Sequence, residues 1–282
     1  MEFNKVILKQ LQETELEIMD LIHRVCVENN IKYSLADGSS LGAFRHRGFI
    51  PWDDDIDIMM LRQDYNRFIQ VWSELSPQGY ILQNFETDIT FDQNFSKIRK
   101  DHTCFLLKRE ECVSYHKGIF VDIVPRDRVA PKGVRRTIQY CASAINLLYS
   151  RGFHDGSTGI IGLLEHIFLM IPKKMYPVMR RMTSKVIQHW NYRNDLPLYS
   201  PQTMERIRWH YPPRIFDEVE LVEFEGRQYY QICDVESALK VHYPEGYEQL
   251  PPPEKQIWKH RPVLIDFEKN YEEISHKGER CN

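Results

Sequence analysis

Two aspartates separated by one residue, Asp55 and Asp57, are the strongest candidates for chemistry in this sequence. They lie in the segment PWDDDIDI at 51–58, whose alternation predicts a strand with both carboxylates on one face and the isoleucines in the core. Cα atoms two positions apart on a strand are about 7 Å apart, so both side chains can reach one cation or a close pair. Such paired charges need a counter-ion, and hard divalent cations take oxygen ligands. The alternative is an acidic turn that leads into a solvated strand.

A third aspartate, Asp122, interrupts the otherwise apolar segment GIFVDIVP at 118–125. An unpaired carboxylate in a buried strand is strongly unfavourable, so Asp122 needs a metal ion or a basic partner. A structural ion pair, for example with Arg99, is the alternative. If Asp122 meets Asp55 and Asp57, the three carboxylates form a magnesium site for phosphoryl or nucleotidyl transfer.

Other residues have the chemistry to hold phosphate groups. Gly38 and Ser39 precede the paired aspartates at a predicted helix N-terminus, where a glycine lets backbone donors approach a phosphate closely. Lys97 and Arg99 alternate on a predicted strand and therefore share a face, as a pyrophosphate clamp requires. A charged edge strand is the alternative for this pair.

Arg45, His46 and Arg47 form a short basic cluster that could neutralise phosphate charge or end a helix in solvent. Trp52, beside the acidic segment, could contact a base or a quaternary ammonium group by cation–π interaction, or could pack in the core. His260 stands alone in the sequence, and from its surroundings alone we interpret it as structural.

The elements that must position these residues form an α+β unit over residues 1–125, with a mixed sheet covered by helices. Apolar periodicity predicts helices at 4–30 and 63–75. Strands are predicted at 33–36, 55–60, 80–83, 95–99, 103–107 and 119–124.

Residues 126–193 form a second predicted unit, a basic helical section with twelve basic residues against three acidic ones. Its longest apolar run, 160–172, is too short and too polar to span a bilayer. This run, with Lys173, Lys174, Arg180 and Arg181, could lie on an anionic membrane face; a buried helical hairpin with solvated basic edges is the alternative. Residues 194–282 form a third unit that is rich in proline and aromatic residues, with a helix predicted at 235–242.

Composition excludes several classes of protein. A chain of 282 residues with 42% hydrophobic residues is long enough for a large core, so overall disorder is excluded. A net charge of −3 argues against nucleic-acid binding by the folded protein. Six scattered cysteines without a C-x-x-C pair indicate reduced thiols in a cytoplasmic protein, and the charged N-terminal segment lacks the apolar stretch of a secretion signal.

The segment 35–58, LADGSSLGAFRHRGFIPWDDDIDI, closely resembles the signature of the LicD family. These are phosphotransferases related to fukutin and fukutin-related protein, with a nucleotidyltransferase-like core of the DNA polymerase beta type. The similarity continues through KIR at 97–99 and GIFVDIVP at 118–125, and weakly through Gly246-Tyr247, LPP at 250–252 and His260. One segment departs from the family pattern: Tyr243-Pro244-Glu245-Gly246-Tyr247 stands where Tyr-Gly-Asp-Tyr is common.

The resemblance implies magnesium, with manganese as the alternative ion, on Asp55, Asp57 and Asp122. It implies transfer of a phospho-alcohol, typically phosphocholine from CDP-choline, to a hydroxyl of a glycan precursor of teichoic acid, lipopolysaccharide or capsule. The residues expected to bind the donor are Gly38, Ser39, Arg45, Arg47, Trp52, Lys97, Arg99 and His260.

In the expected reaction the acceptor hydroxyl attacks the phosphorus that bears the choline, CMP leaves, and Asp122 accepts the proton. The acceptor is expected to be lipid-linked, which places the protein in the cytoplasm at the inner membrane face. A nucleotidyltransferase that acts on a small molecule or a nucleic acid, and a non-catalytic nucleotide- or glycan-binding module, are the alternatives.

Overall fold

A mixed sheet forms the centre of the computed structural model, which describes residues 4–153, 158–201 and 207–275. The strands in chain order are β1 (Ser34–Leu35), β2 (Ile56–Leu61), β3 (Tyr80–Gln83), β4 (Ser96–Lys100), β5 (Cys104–Leu106), β6 (Phe120–Arg128), β7 (Tyr199–Ser200), β8 (Val219–Phe224), β9 (Arg227–Ile232) and β10 (Leu264–Asp266). The central sheet has the order β1-β2-β6-β4-β3, with β7 paired to the far end of β6. Cys281 lies outside the described residues, and the five other cysteines are free thiols.

The register of three central strands determines which side chains meet. β2 and β6 run parallel, with Asp57 directly opposite Asp122. β4 runs antiparallel along the other side of β6, with Lys97 opposite the same Asp122. Because side chains at paired positions project from the same face, two aspartates and a lysine form a row across three strands.

Two helices pack on the opposite face of the sheet. Helix α1 (Lys5–Glu28) begins at Asn4, whose side-chain oxygen accepts the backbone N–H groups of the first turn, and its apolar stripe is fully buried. Helix α3 (Arg62–Leu75) follows β2 directly and buries Phe68 and Trp72 in the same core as Ile56 and Ile58. A core on one face leaves the other face free for polar side chains.

Helix α2 (Asp37–His46) joins β1 to the acidic segment. Beyond the sheet, α4 (Val134–Arg151), α5 (Gly159–Leu169) and α6 (Tyr176–Gln188) form the predicted helical section. The buried Asn146 amide of α4 donates to the carbonyl of Arg180 and to the hydroxyl of Thr183, which fixes α4 against α6. The Arg180 guanidinium donates to the carbonyls of Phe91 and Gln93 and thereby attaches the section to the core.

The C-terminal residues return to the sheet. β8 and β9 form a hairpin, α7 (Val235–His242) packs against α2, and β10 pairs with β5. A last short helix, α8 (Tyr271–Ser275), follows. The segment between α7 and β10 therefore passes over the polar face of the central sheet.

The expected fold class, a mixed sheet covered by helices with a helical middle section, is confirmed, and α7 has the predicted bounds. The β8–β9 hairpin was not predicted. β6 extends through residue 125, where the first predicted unit ends, and the division into three units stays a prediction. In the ranges given above, no helix combines the length and the apolar character needed to cross a bilayer.

Candidate active site

Asp57 and Asp122 face each other across neighbouring parallel strands, and both are almost fully buried. Ile56 and Ile58, on either side of Asp57, point into the core with no exposed surface. The hydroxyl of Ser39, in the first turn of α2, accepts the backbone N–H of Asp57 at 2.9 Å. The alternation seen in the sequence therefore directs the carboxylate of Asp57 to the polar face, and α2 fixes its backbone.

Lys259 links Asp55 to Asp57. Its Nζ lies 2.6 Å from Oδ2 of Asp55 and 3.5 Å from Oδ2 of Asp57. The preceding residue, Trp258, is buried in the main core and anchors the loop that carries the lysine. The stem of Lys259 is exposed to solvent, whereas its ammonium group lies between the carboxylates.

Asp122 has a cation of its own. Nζ of Lys97 donates to its Oδ1 at 2.5 Å and lies 3.3 Å from the centre of the Phe120 ring. Both side chains of this ion pair are buried. The pairing explains how a charged residue is accommodated in the middle of an apolar strand. The basic partner that the sequence required is thus Lys97, and the suggested alternative Arg99 is not that partner.

His260 lies against the same acidic segment. Its backbone N–H and its Nδ1 contact the two carboxylate oxygens of Asp54, each at 3.2 Å, and its Nε2 lies 3.9 Å from Asp55. The imidazole packs edge-on to Phe105 and Phe120. Burial lowers the pKa of His260, but Asp54 and Asp55 outweigh this effect and raise it above its ordinary value. His260 therefore holds the acidic loop in place and adds positive charge.

The three carboxylates carry more negative charge than their lysines balance. Burial raises the pKa of Asp57, neighbouring carboxylates add to the rise and Lys259 opposes it, which leaves a pKa of about 7. Burial also raises the pKa of Asp55, but Lys259 and His260 reverse the effect and lower it to about 2. Two aspartates on the same strand face thus differ widely in their tendency to ionise, and Asp57 is the one that lacks a sufficient counter-charge.

Asp55, Asp57 and Asp122 fit a divalent cation by donor type. They offer buried oxygen ligands, and the raised pKa of Asp57 marks an unmet need for positive charge. Among the described residues, the set whose ligand atoms already lie within 4.8 Å of one another is a different one, Asp54 with Asp55 and His260. Its imidazole nitrogen suits a transition metal better than magnesium, and both Asp54 oxygens already contact His260.

The N-terminus of α2 lies close to the acidic segment. A Cβ added at Gly38 would come within 2.5 Å of Oδ2 of Asp53, so this position requires glycine. Asp37, one residue earlier, lies 3.0 Å from Nδ1 of His242 on α7. The Gly38-Ser39 turn is therefore packed directly on the aspartates.

The other expected donor-binding residues lie in different settings. Arg99 is fully buried and donates to the Gln83 side chain and to the carbonyl of Gly118. Arg45 donates to the Tyr247 carbonyl, and Arg47 at the end of α2 is exposed beside Glu223.

Trp52 packs partly buried against the apolar cluster between α2 and α7. None of these contacts brings Arg45, Arg47, Trp52 or Arg99 onto the carboxylates, and the donor-binding roles of these four residues stay predictions.

Sequence reasoning missed Lys259, which belongs to this site, and Glu15, a buried acid on α1 that feels its charge. Lys259 follows a tryptophan in an irregular segment, and nothing in its local pattern marks it. Glu15 is fully buried on α1, and burial together with the negative charges of Asp55, Asp54, Asp53 and Asp122 raises its pKa well above the ordinary value. A signal for Glu15 was available, since it occupies the apolar stripe between Leu11 and Ile18.

Comparisons with known proteins show which proteins the chain is similar to. Residues 30–133 match the family model described as LicD/FKTN/FKRP, nucleotidyltransferase domain. The chain is 29% identical over 262 residues to the lipopolysaccharide cholinephosphotransferase LicD of Haemophilus influenzae, an alignment that covers 89% of this chain and 95% of that protein.

A further relative is the uncharacterized protein RP689 of Rickettsia prowazekii, with 30% identity over 115 residues, 40% of this chain and 38% of that protein. The matched family segment contains Asp55, Asp57, Asp122 and Lys97, and it ends well before Lys259 and His260. The resemblance inferred from the sequence is confirmed.

Proposed function

We propose that the chain transfers phosphocholine, or a similar phospho-alcohol, from a CDP-linked donor to a hydroxyl of a cell-surface glycan precursor. The proposal is supported by the match of residues 30–133 to the LicD/FKTN/FKRP nucleotidyltransferase model and by the similarity of the chain to a lipopolysaccharide cholinephosphotransferase. CMP is the second product. Lipopolysaccharide is the acceptor that the name of the Haemophilus relative supports; teichoic acid and capsule precursors present hydroxyls of the same chemistry.

One observation carries the proposal: the pairing of Asp57 with Asp122 on adjacent strands, with Asp55 joined to Asp57 through Lys259. Three buried carboxylates, with the Lys259 ammonium group between Asp55 and Asp57 and that of Lys97 against Asp122, form an electrostatic frame for a cation and the donor pyrophosphate. Phosphoryl transfer needs mainly alignment and charge stabilisation from a protein, and this frame provides both.

A divalent ion, magnesium or manganese, would be held by Asp55, Asp57 and Asp122 and would neutralise charge on the donor pyrophosphate. The residues of the chain contribute the rest. Lys259, whose side chain is partly exposed, presents its ammonium group to the donor phosphates, and Lys97 holds the Asp122 carboxylate in place through their ion pair. The first turn of α2, with Gly38 and Ser39, supplies backbone donors beside the aspartates.

In the reaction, the acceptor oxygen forms a bond to the phosphorus that bears the alcohol, and the bond from that phosphorus to the bridging oxygen of CMP breaks. The hydroxyl proton passes to Asp122. A nucleotidyl transfer would instead break the bond between the bridging oxygen and the phosphorus of the nucleotide, and would release phosphocholine from CDP-choline or pyrophosphate from CTP. The same carboxylates serve both reactions, so the products discriminate between them.

A lipid-carried glycan would bring this reaction to the inner face of the cytoplasmic membrane, and we propose that location for the enzyme. A non-catalytic role is not favoured, because Asp55, Asp57 and Asp122 are all buried beside only two lysines, an arrangement that suits a bound cation. A nucleic-acid partner is not favoured, because the net charge is −3.

The test is to incubate the protein with magnesium, lipopolysaccharide free of phosphocholine, and either CDP-choline or CTP. We expect CMP from CDP-choline and transfer of choline to the acceptor, and no pyrophosphate from CTP. Asp57→Asn should lower turnover by about 10³-fold or more, as loss of an electrostatic group at the reacting centre does. Asp217→Asn, on the surface, is the matched control and should leave turnover unchanged. Pyrophosphate release from CTP would establish the nucleotidyltransferase alternative instead.

A further inference from the structure

Exposed apolar side chains are concentrated in the segment 163–186, on α5, on α6 and on the turn between them. Together with three exposed lysines they form what we call the apolar–basic face, which consists of Leu163, Leu164, Ile167, Met170, Met175, Val178, Met182 and Val186 with Lys173, Lys174 and Lys185. The side chains of Ile160 and Ile161 lie outside the described part of the structure. Met170 is 82% exposed. Soluble proteins rarely expose so many large apolar side chains within one segment, so we interpret this segment as an interaction surface.

The packing of α6 fixes the direction of this face. Val178, Met182 and Val186 follow each other at intervals of four, so they form one row along the helix. The other side of α6 carries Arg180 and Ile187, which are buried. Because the Arg180 guanidinium is bonded to two carbonyls of the core, the helix cannot rotate to hide the exposed row.

The charge of the face is positive. Arg180 is buried and Arg181 is paired with Glu86, so neither arginine contributes a free charge. Within the residues that the structure describes, Lys173, Lys174 and Lys185 make no ion pair and are exposed. No aspartate or glutamate occurs between Met170 and Gln188, and the one acidic residue of α5, Glu165, is partly buried.

We propose that the apolar–basic face docks the protein on an anionic lipid bilayer, with the apolar side chains in the interfacial region and the three lysines among the headgroups. Side chains such as Leu and Met enter the boundary of the acyl chains, and each lysine near an anionic surface adds a favourable electrostatic contribution. Docking does not depend on the transfer chemistry, and it supplies the membrane location that the proposed function requires.

Charge argues for a bilayer over a second copy of the chain. Two copies joined through this face would bring their lysines together, and like charges at an interface are unfavourable. An anionic bilayer complements the lysines and accepts apolar side chains at any position. A cavity of about 470 Å³ does occur at this section, but it lies on the inward side, lined by Arg180 and Ile187 and by residues of α3.

Flotation of the full chain with lipid vesicles tests the proposal. The probes are vesicles of phosphatidylcholine alone and vesicles that also contain phosphatidylglycerol. We expect binding to the anionic vesicles that weakens as salt is added, because screening shortens the reach of the lysine charges. The double change Leu163→Ser with Ile167→Ser should lower the partition coefficient by about tenfold or more.

Matched changes separate a surface effect from a folding effect. Leu75 and Ile89 are exposed to nearly the same extent as Leu163 and Ile167, at 54% and 52% against 61% and 52%, so Leu75→Ser with Ile89→Ser should leave binding unchanged. Lys173→Glu with Lys174→Glu should lower binding to anionic vesicles by about tenfold or more, and Lys5→Glu with Lys269→Glu should not.

No flotation at low salt, or equal loss in the matched variants, would overturn the proposal. Self-association in sedimentation that disappears with Leu163→Ser and Ile167→Ser, without any flotation, would assign the face to a second copy instead. The inactive variant Asp57→Asn should still float, so a failure of docking and a failure of the proposed chemistry are observed separately.

Discussion

The ammonium group of Lys259 lies 2.6 Å from the carboxylate of Asp55, although 204 positions of the chain separate the two residues. Through this contact the C-terminal part of the protein contributes a positive charge to a cluster of aspartates that the N-terminal half builds. The same ammonium group also reaches Asp57, so one flexible side chain balances two carboxylates.

Lys259→Met should lower turnover by about 10²–10³-fold, because it removes a charge aimed at the donor phosphates. The measurement is CMP release from CDP-choline at saturating magnesium. Lys255→Met, four residues earlier and exposed, is the control and should retain full turnover. Equal turnover in the two variants would show that Lys259 only neutralises Asp55 and Asp57 and does not act on the donor phosphates.

The pH dependence of stability follows from Asp57. Its pKa is about 7 in the folded protein against 3.8 for an unperturbed aspartate, so the folded state binds more protons than the unfolded state between pH 4 and pH 7. The free energy of unfolding of the metal-free protein should therefore fall as pH rises through this window. Asp57→Asn removes this loss and should be more stable than the parent at pH 8 by about 1–3 kcal/mol.

Thermal unfolding in EDTA at pH 5 and pH 8 measures this difference, with the exposed-site variant Asp217→Asn as the reference. Addition of magnesium at pH 8 should raise the melting temperature of the parent and leave that of Asp57→Asn nearly unchanged, since a ligand stabilises the folded state that binds it. A parent protein as stable at pH 8 as at pH 5, in the same buffer, would contradict the assignment.

The buried pair of Lys97 and Asp122 should be strongly coupled. Lys97→Met leaves Asp122 as an uncompensated buried charge and should cost about 3–5 kcal/mol in the free energy of unfolding. Adding Asp122→Asn to Lys97→Met should recover a large part of this loss. Urea unfolding of the parent, both single variants and the double variant gives the coupling energy.

An exposed pair on α7, Glu236 with Lys240, provides the comparison for this cycle and should show a coupling below about 0.5 kcal/mol. Similar coupling in the two pairs would mean that the site around Lys97 is well hydrated.

Ser39→Ala should weaken both stability and catalysis. Without the hydroxyl, the buried N–H of Asp57 has lost its acceptor, a change that costs about 1–3 kcal/mol. Turnover should fall by about tenfold, because the carboxylate of Asp57 is held less firmly. Ser73→Ala removes an exposed hydroxyl on α3 that donates within its own helix, and it should change neither quantity. Unchanged turnover in Ser39→Ala would show that the contact between Ser39 and Asp57 is not needed for catalysis.

The sequence contained enough to predict how the strands direct Asp55, Asp57 and Asp122. Strict alternation with isoleucine in one strand, and a single acid in an apolar run in another, are local patterns, and local patterns determine which face a side chain takes. The parallel pairing that sets Asp57 opposite Asp122 could be expected from the resemblance but not calculated from either strand alone.

The sequence alone could not predict which basic side chains pair with these carboxylates. Lys97 and Arg99 share a face and a strand, yet Lys97 pairs with Asp122 while Arg99 is held by Gln83 and a backbone carbonyl. Which of two cations meets an anion depends on register, and register is a property of two strands together. Lys259 and His260 reach the site from an irregular segment whose path follows the core contact of Trp258.

The position of Lys259 and His260 also bears on how the protein is made. During synthesis the aspartate-bearing strands leave the ribosome long before the loop at 258–260, so for most of that time the acidic groove has no counter-charge from this loop. The electrostatic frame is therefore complete only after residues 258–260 have been synthesised and have reached the sheet.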